Sequence, residues 1–135
     1  MIAADSSVVV AALAAWHPDH AAADAALVRG VRLPAHCAVE TYSTLTRMKP
    51  PFRAPADVVM RSLRARFREP WLTLDAGGHR RFLQTAESNA ITGGAIYDAL
   101  VAATAVRHDC ALLTLDRRAL PVYRLMGADA RAPAV

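Results

Sequence analysis

The chain opens on a short apolar run, Met1 to Ala4, that stops at Asp5; after Ser6 and Ser7 a second apolar run begins. Continuous apolar runs of this length mark strands buried on both faces. The pattern predicts a strand that ends in a carboxylate and turns into a helix from Ser7 to Ala15, with Ser6 or Ser7 as its N-cap. His17-Pro18-Asp19 breaks that helix. Pro18 suits the first turn of the next, Ala21 to Arg29, which Gly30 ends. Val31 to Pro34 reads as a short strand. A helix then follows from about Ala35 to Met48, with Val39, Tyr42, Leu45 and Thr46 on one face and Glu40 beside it. Lys49-Pro50-Pro51 stops it, because consecutive prolines cannot continue a helix.

After the short loop PPFRAPA, Val58, Val59, Leu63 and Phe67 alternate with arginines, so Ala56 to Phe67 is an amphipathic helix. Trp71 to Leu74 is expected as a strand, with Asp75 capping a helix from about Gly78 to Ser88. Thr92-Gly93-Gly94 leads into a helix from Ala95 to Arg107 that is apolar nearly all round, hence central and buried. Cys110 to Leu115 reads as a strand ending at Asp116. A short helix spans Val122 to Met126, and the tail, Ala128 to Val135, adds an edge strand near Ala130. Strands separated by helices predict an α/β fold, a short, mostly parallel central sheet flanked by helices, in one domain over 1–135.

The 135 residues are 54% hydrophobic, enough for a core and contrary to a disordered chain. A net charge of +4 permits a nucleic-acid partner without demanding one. Lys49 is the sole lysine among sixteen basic residues, and arginine forks suit phosphate. Cys37 and Cys110 stand apart, each near a histidine, without the close ligand pairs of a zinc site. They read as reduced structural thiols of a cytoplasmic protein. No secretory signal is visible, and no apolar run approaches the ~20 residues of a membrane span.

Four carboxylates hold similar places. Asp5 and Asp116 end strands, whereas Glu40 and Asp98 lie near the starts of helices. Taken singly, each could cap a helix, favour its dipole or open a turn. Asp98 resists that account: its helix is otherwise apolar, a buried carboxylate without a partner is costly, and no Lys or Arg is spaced to pair with it. Ligands of parallel sheets bind beyond the carboxyl ends of the strands, the edge at which all four would meet. Carboxylates gathered there repel one another, and a divalent cation held by oxygen ligands removes the conflict.

The stretches MIAADSSVVVAAL, AVETYSTLTR, TGGAIYDALVAATA and LLTLDRRA, in this order and over essentially the whole chain, resemble the PIN domain, specifically the VapC-type toxins of type II toxin–antitoxin pairs. The resemblance implies an endoribonuclease dependent on Mg²⁺ or Mn²⁺ that cuts structured or translation-related RNA such as tRNA or rRNA. Water would attack in line, leaving a 5′-phosphate and a 3′-hydroxyl. The family's four acidic positions carry onto Asp5, Glu40, Asp98 and Asp116 as metal ligands and catalytic groups. Ser6 and Thr114 would orient carboxylates or waters; Thr114 stands where a further carboxylate could support a second ion. A homodimer and a cognate VapB-type antitoxin are the implied partners, with no membrane.

Arg117 and Arg118, beside Asp116, are the first candidates for phosphate contacts, followed by Arg47 and Lys49. Arg61, Arg64 and Arg68 read equally as a solvated helix face. Rival readings are a PIN-like binding module that has lost catalysis, a phosphorelay receiver domain and a phosphatase-like hydrolase with Asp5 as nucleophile. A receiver domain wants an early acidic pair and a late lysine; the hydrolase wants an acid at position 7, where Ser7 stands.

Overall fold

The computed structural model describes residues 1–134; Val135, the last residue of the expected domain and tail, lies outside them. Ten elements follow in order: β1 (Ile2–Ala4), α1 (Ser6–Leu13), α2 (His20–Ala26), α3 (Ala35–Thr46), α4 (Ala56–Arg66), α5 (Ala76–Ser88), α6 (Ala95–Arg107), β2 (Ala111–Leu113), α7 (Leu120–Leu125) and β3 (Ala130–Arg131). The three strands form one parallel sheet in the order β1-β2-β3, with Ala3 opposite Leu112 and Leu112 opposite Ala130. The edge strand expected near Ala130 is present, and the α/β reading holds.

Two expected strands are reduced to single bridges. Arg32 pairs with Ala3, and Pro34 with Leu72, both in parallel. The ladder therefore continues past β1 through the 31–34 segment to Leu72, one residue pair at a time. Pro34 has no N–H to donate, and the chain enters α3 at Ala35, whose own N–H bonds the Leu72 carbonyl. A segment so short cannot repeat the pairing needed for a regular strand. Asp116 accordingly stands three residues past β2 and not at its last position.

Helix ends also differ from expectation. The N-cap of α1 is Asp5 itself, accepting from the Val8 N–H, and not Ser6 or Ser7. The second helix stops at Ala26, well before Gly30, and Pro18 lies ahead of its first turn. Asp75 caps α5 as expected, accepting from the Gly78 N–H at 2.7 Å.

The buried face of α3 is turned relative to the sequence reading. Cys37, Ala38, Thr41 and Leu45 face the core, and Val39 and Tyr42 are exposed. Small side chains lie inward because α3 packs beside both α1 and α6. In α6, Ala99, Val101, Ala102, Thr104 and Ala105 are buried, while Tyr97 and Val106 reach solvent, so the helix is central without being enclosed. Gly127, at φ +84°, ends α7 in the left-handed region that glycine adopts most readily and returns the chain to β3.

This orientation of α3 sets a stability contrast. Leu45 is 4% exposed and Val39 65%. Leu45→Ala should cost about 2–5 kcal/mol in urea unfolding, whereas Val39→Ala should stay within about 0.5 kcal/mol. Equal losses would contradict this packing.

Candidate active site

Four elements bring Asp5, Glu40, Asp98 and Asp116 to the carboxyl edge of the sheet. Asp5 follows β1, and its N–H bonds the Leu113 carbonyl of β2. Glu40 lies in the second turn of α3, on the edge of its buried stripe. Asp98 lies in the first turn of α6, and Asp116 in the turn after β2.

The Asp5 carboxylate is only 2% exposed. Its Oδ1 accepts from the Ser7 hydroxyl at 2.5 Å and the Val8 N–H at 3.3 Å; its Oδ2 accepts from the Tyr123 hydroxyl at 2.8 Å. Ser7 Oγ also accepts from the Leu115 N–H at 2.8 Å and lies 3.5 Å from Thr114 Oγ1. One serine thus ties the end of β1 to the end of β2. Thr114 Oγ1 in turn accepts from the Asp116 N–H at 3.0 Å.

Ser6 serves another carboxylate: its hydroxyl donates to Glu40 Oε1 at 3.3 Å. His36 Nε2 lies 3.5 Å from that same oxygen, one helical turn before it. The His36 ring stacks on Tyr97 with centroids 5.6 Å apart and planes within 3°. Asp116 Oδ1 accepts from the Arg118 N–H at 2.9 Å.

Electrostatically the group is unfavourable. Burial raises the Asp5 pKa, only partly offset by the Ser7, Thr114 and Tyr123 hydroxyls and the Val8 N–H. Burial also raises Glu40, with Asp5 and Asp116 adding repulsion and His36 and Ser6 opposing. Asp98 is raised by burial, then by the charges of Asp116, Glu40 and Asp5. Beneath them, burial and the same acids push the Cys37 thiol well above its ordinary range, so it stays neutral. Among the described residues, the ion pairs of the four acids are His36 with Glu40 and Arg118 with Asp116.

The donors are all oxygens on separate elements, the set that suits Mg²⁺ or Mn²⁺. The side chains do not close on one point: among the described residues, no three acid, imidazole or thiol groups are gathered to hold an ion as they stand. Burial and mutual repulsion leave three of the carboxyls raised, the electrostatic mark of like charges brought near one another. The donor set fits a divalent cation in chemistry.

An open cleft of about 390 Å³ runs beside Asp116, lined by Ser6, Ser7, His17, Asp19, Thr44 and Leu115 among others. Arg117 and Arg118 are exposed next to it. Arg47, bonded to Ser43, and Lys49 lie beyond its lining, at and past the end of α3. Arg61 and Arg64 point to solvent on α4, and Arg61 pairs with Asp57, as a solvated face would.

Sequence reasoning missed three side chains here. Ser7 reads in the sequence as a helix cap or as the residue that excludes the hydrolase, not as the group that holds Asp5. His36 sits one turn before Glu40, a spacing visible in the sequence. Tyr123, 118 residues from Asp5, left no local signal.

The PIN domain family model matches residues 2–125. The chain is 48% identical over 129 residues to Ribonuclease VapC40 of Mycobacterium tuberculosis, covering 96% of each protein. It is 40% identical over 128 residues to Ribonuclease VapC27 of the same organism, covering 93% of this chain and 92% of that protein. Its fold matches the crystal structure of FitAcB from Neisseria gonorrhoeae with a TM-score of 0.72 at 20% identity, over 98% of each chain.

The raised carboxyls predict a pH response. The folded state keeps protons that the unfolded chain releases, so stability of the ion-free protein should fall as pH rises from about 4 through the raised values. Asp24, Asp75 and Asp129 are lowered and act in the opposite sense below that range. In thermal melts with EDTA from pH 4 to 8, Asp98→Asn should flatten the decline and raise Tm at pH 7 by a few degrees. A Tm that climbs steadily with pH would contradict the electrostatics.

Proposed function

The chain belongs to the PIN-domain family, and from that premise we propose that it is a metal-dependent endoribonuclease, the toxin of a VapBC-type pair. The observation that carries the reading is the cluster of raised carboxyls, Asp5, Glu40 and Asp98, joined by Asp116 at one sheet edge. The names of the two mycobacterial relatives support the ribonuclease assignment.

Asp5, Glu40, Asp98 and Asp116 would hold Mg²⁺ or Mn²⁺. A bound ion of this kind supplies a Lewis acid for the scissile phosphate and lowers the pKa of an attacking water. Ser7 holds Asp5, Ser6 orients Glu40, and Thr114 fixes the backbone at Asp116. In-line hydrolysis leaves a 5′-phosphate and a 3′-hydroxyl.

Arg117 and Arg118 stand beside Asp116 with their side chains in solvent, where a phosphate backbone passing the acids would meet them. Arg47 and Lys49 would extend that contact. Structured, translation-related RNA such as tRNA or rRNA is the proposed substrate class, read through its backbone. The acids repel polyanionic RNA until a cation neutralises them, so binding and metal loading are coupled.

A cognate VapB-type antitoxin and a second copy of the chain are the proposed partners. Their apolar contacts have candidates in exposed Val39, Tyr42, Trp16 and Phe52, the last two with rings 4.9 Å apart. Unpaired, buried Cys37 and Cys110 accord with action in the cytoplasm. No helix among the described residues is long and apolar enough to cross a membrane.

The test is cleavage of total cellular RNA by the purified chain with Mg²⁺ or Mn²⁺, against EDTA. Discrete cuts are expected with metal and none with chelator. Asp5→Ala and Asp98→Ala should each lower the rate at least about 100-fold. Metal binding without any cleavage would instead assign a PIN-like binding module that has lost catalysis.

A further inference from the structure

Tyr123 is the one group of α7 that reaches the acid cluster. Its ring is 2% exposed, and its hydroxyl donates to Asp5 Oδ2 at 2.8 Å. A carboxylate offers about four acceptor sites, two on each oxygen. On Asp5, Ser7 and Val8 occupy both sites of Oδ1 and Tyr123 occupies one of Oδ2. One site remains, on the oxygen that Tyr123 holds.

The donors differ in what they constrain. Ser7 and Val8 belong to the same turn as Asp5 and hold Oδ1 alone. Tyr123 holds Oδ2 from an element 118 residues away, so rotation about Cβ–Cγ is resisted at both oxygens and Oδ2 itself is directed. We infer that Tyr123 is a positioning residue that aims the remaining acceptor site of Asp5, and thereby makes this carboxylate a one-point ligand for the divalent cation.

The role rests on the proposed metal-dependent activity and adds a residue that the acidic motifs do not contain. Burial, then the neighbouring charge of Asp5, raises the Tyr123 phenol far above its ordinary range, so it remains a donor wherever the protein is folded. Its helix is short and joins β2 to β3, which makes the geometry of Asp5 depend on how the C-terminal segment docks.

Calorimetry with Mn²⁺ alone, on the purified chain and on Tyr123→Phe, tests the role apart from activity. Loss of the hydroxyl should weaken Mn²⁺ about 10-fold and lower kcat on RNA with KM unchanged. A folded Tyr123→Phe chain that binds Mn²⁺ like the parent would overturn the inference. Tyr123→3-fluorotyrosine keeps the hydroxyl and reports the site even if the phenylalanine variant fails to fold. Its ¹⁹F resonance should move during Mg²⁺ titration with the midpoint of a Mg²⁺ calorimetric titration of the same chain, and a stationary resonance would overturn the inference. If the parent binds Mn²⁺ but cuts no RNA, the nuclease reading falls, while the affinity difference still decides the role of Tyr123. If the parent binds no Mn²⁺, both fall.

Discussion

The buried carboxylate of Asp5 is the constraint on which the rest of this structure turns. It caps α1, ends β1 and lies almost out of solvent, where an unsatisfied charge costs several kcal/mol or more. Donors from α1 and α7 offset that cost, and Ser7 extends the network to the end of β2. The first helix, the central strand and the last helix are held to one another through a single side chain. Any change in how these elements pack is felt at Asp5, and any change at Asp5 is felt in their packing.

The remaining acids sit where stability alone would not place them. Glu40 and Asp98 approach Asp5 and Asp116 with little basic compensation, and their pKa values rise in consequence. Perturbed carboxyl pKa values of this kind cluster at functional sites. The alanine-rich helices and short strands supply the rigidity: small side chains let α1, α3 and α6 approach closely, so Glu40 and Asp98 are presented from packed helices and Asp5 and Asp116 from the short turns that follow β1 and β2. Pairing is short, three residue pairs between β1 and β2 and two between β2 and β3, with a single bridge on the outer side of β1.

Where local reading failed, tertiary competition was the cause. Val31–Pro34 and Trp71–Leu74 have strand-like composition, yet they pair only through isolated bridges, Arg32 with Ala3 and Pro34 with Leu72, because Pro34 interrupts the ladder and α3 begins at once. On α3, the sequence groups Val39 and Tyr42 on one face with Leu45, but the core takes Leu45 together with Cys37, Ala38 and Thr41 and leaves Val39 and Tyr42 exposed. Hydrophobic size predicts burial only where there is room for it.

The linear chain by itself determined the alternation of strands and helices, the edge strand near Ala130, the cap at Asp75 and the extent of the Ala95–Arg107 helix. These depend on period, propensity and breakers within a few residues. It also singled out the four acids, since a carboxylate set at an apolar boundary stands out locally. What only the tertiary structure decided is which group holds which acid: Ser7 on Asp5, Ser6 and His36 on Glu40, Tyr123 across 118 residues on Asp5. A hydrogen bond is a matter of distance and direction in space, and neither is written in the spacing of residues along the chain.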